Sequence, residues 1–205
     1  MAASQTDQVV KGKGSALDER LVLQIKIKPS WSEYARDKET HQRFNGTTIL
    51  DFGSGQYVGM LGEIALGTFL RDVENISFEH CGFTSYDCDF IAGGLKIDVK
   101  TKACNTPPLP HYTVHVTESQ KDRDCDIYVF CRASPDTVYL LGWIPKADFW
   151  STDLGVDSRG GQADYDGFIE RADARKLKVS DLLGMELLAG AIESGVTKYY
   201  INNYK

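Results

Sequence analysis

The stretch YDCDFIAGGLKIDVKTK, residues 86–102, sets Asp87, Asp89 and Asp98 around a Gly93-Gly94 pair and follows them with Lys100 and Lys102. Two adjacent glycines between apolar runs predict a tight hairpin, because both central residues of the favoured turn need positive φ. Counting outward from the turn sets Ala92 opposite Leu95, Phe90 opposite Ile97, Asp89 opposite Asp98 and Asp87 opposite Lys100. Side chains alternate along a strand. Asp87, Asp89, Asp98 and Lys100 therefore share one face, and Phe90, Ala92, Leu95, Ile97 and Val99 share the other.

Two carboxylates directly opposite each other destabilise a strand pair. A divalent cation offsets that cost, and hard oxygen ligands are what Mg²⁺ prefers. Lys100 would then project beside the metal, where a phosphate or an attacking water would sit. The same charges also read as a plain Asp87–Lys100 cross-strand pair with two solvated aspartates. Glu63 weighs toward chemistry: it stands inside the apolar helix QYVGMLGEIALGTFLRD, where unpaired acids are uncommon.

The elements that must position these residues follow from periodicity. LVLQIKIKP alternates from Val22 to Ile27 and predicts a strand ended by Pro29. Ser30 and Glu33 have capping-box spacing and predict a helix to about Arg43. NGTT, residues 45–48, is a turn. Tyr57, Leu61, Ile64, Ala65 and Phe69 keep a helical period, with Gly59, Gly62 and Gly67 allowing close approach. Five strands follow, at 86–92, 95–102, 111–117, 125–133 and 137–144. Residues 151–178 read as a long loop with short strands. SDLLGMELLAGAIES reads as a terminal helix capped by Ser180. The pattern predicts a polar arm over 1–20 and one α/β domain over 21–205 with a central mixed sheet flanked by helices.

Composition narrows the setting. Of 205 residues, 42% are hydrophobic and 25% charged, as in ordinary globular chains. No apolar run reaches the roughly 18 residues of a membrane span. The polar first twenty residues carry no secretory h-region. Five cysteines without a Cys-x-x-Cys pair argue against zinc and a disulfide framework, and reduced thiols suit a cytoplasmic location. A net charge of −6 disfavours broad coating of nucleic acid but leaves room for a local basic patch.

With GEIAL (Glu63), DCDF (Asp89) and IDVKTK (Asp98, Lys100) in that order, residues 30–150 resemble the PD-(D/E)XK nuclease superfamily. That superfamily includes restriction endonucleases, junction resolvases and phage exonucleases. The namesake proline is absent: Cys88 precedes Asp89, which leaves Asp87 as a rival for the role of Asp89. The resemblance implies a restriction endonuclease-like core and hydrolysis of DNA phosphodiesters dependent on Mg²⁺, with Mn²⁺ as a substitute. It implies that Asp89, Asp98 and the Val99 carbonyl hold the metal, with Glu63 acting directly or through a water. Lys100 would orient or deprotonate the attacking water and stabilise the transition state. Gln120 matches a position where several members carry a polar helper.

Lys102, Lys121 and Arg123 would extend a phosphate track, and Arg159, Arg171, Arg175, Lys176 and Lys178 fit a solvated charged surface. His111 and His115 lack a third soft ligand at metal spacing and read as cleft or surface histidines. The expected partner is DNA, and a homodimer through the terminal helix is a further expectation. A nuclease fold kept only for nucleic-acid binding or assembly is the alternative function.

Overall fold

The computed structural model describes residues 10–11, 22–44, 53–81, 87–151, 153, 155–161 and 172–195. The turn at 45–48 and most of the expected arm lie outside the described residues. Within the arm, β1 (Val10–Lys11) pairs antiparallel with β2 (Leu23–Lys26). α1 (Pro29–Phe44) begins on proline, whose missing N–H would have had no helical partner. The Trp31 and Ser32 N–H groups donate to the Lys28 carbonyl, so the helix starts ahead of the expected Ser30 cap. α2 (Gly53–Thr68) runs into a π-helical turn at Phe69–Val73.

Strands β3 (Phe78–His80), β4 (Phe90–Ala92), β5 (Leu95–Ala103), β6 (Thr113–Thr117), β7 (Ile127–Ala133) and β8 (Thr137–Pro145) follow. α3 (Lys146–Phe149), β9 (Val156–Ser158), β10 (Ala174–Lys178) and α4 (Leu188–Ser194) complete the described elements. The larger sheet has the order β1-β2-β8-β7-β5-β4-β3. It is mixed: β5 and β7 are parallel, and the other neighbours are antiparallel. A smaller antiparallel sheet has the order β6-β10-β9.

Both faces of the larger sheet are covered. Ile97, Val99, Ile127 and Val129 pack in one core with Leu61, Ala65 and Leu66 of α2 and Leu188 and Ile192 of α4. Tyr128, Phe130 and Leu141 pack in a second core with Val114, Val116, Leu177 and Phe149. Helices were expected on both sides, but the second layer is mainly the smaller sheet. Double coverage explains why β7 and β8 read as unbroken apolar runs and are buried at every position.

The end of the chain departs from the expected helix over 180–194. Trp143 and Leu183 exchange two backbone hydrogen bonds of 2.9 Å, and Trp143 Nε1 donates to the Gly184 carbonyl at 3.0 Å. These bonds to β8 hold residues 182–184 out of a helix, so α4 begins only at Leu188. Its apolar side is used within the chain: a Cβ on Gly93 would sit 2.2 Å from the Ile192 carbonyl oxygen. No helix among the described residues is long and apolar enough to cross a membrane.

Candidate active site

The hairpin turns where the glycines predict. Gly93 and Gly94 have φ of 56° and 82°, and Ala92 pairs with Leu95 and Phe90 with Ile97. The ladder ends there. The Asp89 N–H donates to the Ile97 carbonyl at 2.8 Å instead of continuing the one-for-one pairing, so Asp89 is not a ladder partner of Asp98. Its carboxylate takes over the role of the missing strand: Asp89 Oδ2 accepts the Val99 N–H at 2.7 Å. A residue in an extended strand directs its N–H and C=O to the same edge. The Val99 carbonyl therefore faces the edge on which Asp89 stands.

Asp98 is 2% exposed, and a buried carboxylate needs a partner. Lys100, two residues on and on the same face of β5, supplies it. Its ammonium lies 2.7 Å from Asp98 Oδ1 and 2.6 Å from Oδ2. The expected Asp87–Lys100 pair does not form, and Asp87 lies exposed in a bend before β4.

Glu63 arrives from the other side of the sheet's edge. α2 crosses β5 in close contact, since a Cβ on Gly62 would fall 1.9 Å from Thr101 Oγ1. That contact sets the next residue, Glu63, near the open edge of β5. Glu63 Oε2 is 2.9 Å from His80 Nε2, and the His80 ring stands edge-on to Phe90 at 5.0 Å. Glu63 also opens on a cavity of about 270 Å³ walled by Trp31, Tyr34 and Phe78.

Asp89 lies between the two other acids. Burial pushes its carboxyl up to about 8, and the charges of Glu63 and Asp98 push the same way. The Val99 N–H and the Lys100 charge pull it down, but less. Behind it the Cys81 and Cys88 thiols touch, Sγ to Sγ 3.4 Å, and burial with this contact lifts the Cys81 thiol to about 12. Cys81 is therefore poor in thiolate at neutral pH.

Among the described residues no three His, Cys, Asp or Glu side chains converge as a chelating group. Lys100 holds Asp98 and His80 holds Glu63. The donor set nevertheless fits a hard divalent cation. It offers carboxylate oxygens and a backbone carbonyl, and it contains a carboxyl, Asp89, that burial first and neighbouring negative charge second hold up to about 8.

The remaining predicted residues divide by position. Gln120 stands on the short 3₁₀ turn Glu118–Gln120 after β6 and lines a cavity of about 290 Å³ together with Lys100 and Lys102. Lys121 lies 5.5 Å from the Trp150 ring, Trp150 Nε1 donates to the Tyr128 hydroxyl at 3.1 Å, and Lys100 lies 5.9 Å from the Tyr128 ring. A row of two aromatic rings thus joins Lys100 to Lys121. Arg123 follows in the next turn, where its carbonyl accepts the Lys146 ammonium. Sequence reasoning missed His80, which has no partner at a recognisable spacing, and Tyr128, whose apolar strand reads as core. Compared with known proteins, the chain matches no family model and no curated sequence.

Proposed function

We propose that this chain is a Mg²⁺-dependent nuclease that hydrolyses DNA phosphodiester bonds on a core of the PD-(D/E)XK, restriction endonuclease-like type. The observation that carries this reading is the gathering of three acids, with Glu63 and Asp98 both acting on the buried Asp89, and the Lys100 ammonium 2.6 Å from Asp98. A cation site calls for acids gathered in this way, which supports the reading.

Asp89, Asp98 and the Val99 carbonyl are the groups that would hold Mg²⁺ or Mn²⁺, with Glu63 beside them. When bound, the metal polarises the phosphate and makes the attacking water more acidic. Lys100 offsets the negative charge that grows on the phosphate and orients the water. His80 steadies Glu63 through the 2.9 Å contact. Gln120 offers an amide from the wall of the cavity that Lys100 shares. Lys102, Lys121 and Arg123 would hold flanking phosphates, which fixes register without reading sequence. DNA rather than RNA rests on the resemblance alone.

A second reading is a nuclease-like fold that binds nucleic acid without cutting it. The closed Lys100–Asp98 pair favours it, because both Asp98 oxygens already face a cation. Incubating the pure protein with plasmid, linear duplex and single-stranded DNA in Mg²⁺, Mn²⁺ or EDTA separates the two. Metal-dependent cleavage supports the first, and binding without cleavage in every metal supports the second.

A further inference from the structure

The cavity of about 290 Å³ beside Lys100 is built from two sheets. β5 and β7 contribute Lys100, Lys102 and Arg132. β6 contributes Thr113, His115 and Thr117, which share one face of the strand, and also Val114. Its described lining holds three basic side chains and no carboxylate, although Lys100 is paired with Asp98 and Arg132 is buried and donates to the Thr113 carbonyl. A concave lining with basic side chains in a protein of net charge −6 favours a local anion site over a general coat. Phe130 and Val114 add apolar wall, and Gln120, Thr117 and His115 add groups able to donate or accept hydrogen bonds.

Size restricts the occupant. The volume lies at the lower end of the roughly 300–1,000 Å³ range of small-molecule sites. A base pair within a duplex cannot enter it, whereas one nucleotide with its phosphate matches both the space and the mixed lining. We propose that this cavity receives a single unpaired nucleotide of the substrate strand, next to the scissile phosphate, so that the enzyme favours single-stranded or frayed DNA over intact duplex. The assignment rests on the nuclease reading for its substrate class, but the binding itself needs no cleavage. Duplex would be engaged only after a nucleotide unpairs and leaves the stack.

Gly59 of α2 gives a direct test. It lines the cavity, and a Cβ there would meet no atom within 4 Å. Gly59→Leu therefore fills the mouth while improving helix propensity. Calorimetric titration in EDTA, at low salt, would compare thymidine 5′-monophosphate, thymidine and inorganic phosphate. The monophosphate is expected to bind at least about tenfold more tightly than either fragment, and Gly59→Leu and Lys102→Ala each to weaken it by about tenfold or more. In Mg²⁺, a single-stranded oligonucleotide is expected to be cut at least about tenfold faster than the blunt duplex of the same sequence. Equal binding of thymidine and its phosphate, equal binding of inorganic phosphate and the nucleotide, or a Gly59→Leu protein that binds like wild type would each overturn the pocket. Cleavage with no nucleotide binding would sink this inference and leave the nuclease reading standing. Nucleotide binding with no cleavage in any metal would do the reverse.

Discussion

Asp89 Oδ2 accepts the backbone N–H of Val99 at 2.7 Å, so a side chain caps the edge of β5 where β4 stops pairing. One bond thereby does two things. It satisfies an edge donor of a central strand, and it holds a carboxylate beside Glu63 and Asp98 at a cost in burial first and charge repulsion second.

That cost makes stability depend on pH in a definite direction. The folded Asp89 carboxyl is raised to about 8, whereas an unfolded aspartate titrates near 3.9. Its contribution to stability is therefore fully present below about 3.9 and is lost as pH rises through about 8. Asp89→Asn keeps an acceptor for Val99 and removes the titration. In EDTA the variant's melting temperature should exceed wild type by about 2–4 °C at pH 8, with little difference at pH 4. A variant less stable than wild type at pH 8 would show that the carboxylate is held by net attraction.

Metal linkage runs the opposite way. A cation that binds the deprotonated cluster stabilises the fold by mass action. Millimolar Mg²⁺ or Mn²⁺ should raise the melting temperature, more at pH 8 than at pH 6, because binding displaces the Asp89 proton. Asp98→Asn should abolish the shift. An undiminished shift in that variant, read by differential scanning fluorimetry, would remove Asp98 from the ligand set.

His80 is a positioning residue for Glu63. His80→Ala should leave the fold intact, raise the Mg²⁺ concentration for half-maximal cleavage, and lower kcat/KM by about tenfold. His80→Gln, which can still donate to Glu63, should restore part of both. A merely structural histidine would lower the melting temperature without moving the Mg²⁺ dependence.

Helix packing sets the position of Glu63. Gly62→Ala drives a methyl into Thr101 Oγ1, and the expected loss is about 1–3 kcal/mol with a parallel loss of activity. Thr101→Ala in the same chain removes the hydroxyl. The alanine methyl still meets Thr101 Cβ at 3.0 Å, so chemical denaturation should show partial rescue only. Full stability of Gly62→Ala alone would mean that α2 can ride up without penalty.

Much of this arrangement is legible in the residues. Gly93-Gly94 specifies the turn and the pairing nearest it because turn geometry is local. The alternation of β2 and the unbroken apolar runs of β7 and β8 give the strands of a mixed sheet. The break of the expected Asp89–Asp98 pairing was not legible, because a side chain interrupts the ladder and no backbone pattern announces it. The first half of the helix expected over 180–194 was lost to Trp143, whose hydrogen bonds come from some forty residues away in the chain. His80 was hidden for the same reason: its partner Glu63 lies across the fold and not at a helical or strand spacing.

Lys100 carries the central claim. Its ammonium rests on Asp98 and must turn to the phosphate for chemistry. Lys100→Arg keeps the charge but changes its reach and cannot lose a proton, so it should retain little activity. Lys102→Ala should weaken DNA binding and leave metal binding unchanged. The direct measurement is single-turnover cleavage of DNA by Lys100→Ala in Mg²⁺, alongside DNA binding in Ca²⁺. Cleavage slower by about 10²–10³-fold or more, with DNA and Mg²⁺ still bound, is the predicted result. Cleavage at the wild-type rate would contradict the account and return the Asp98–Lys100 pair to a structural ion pair.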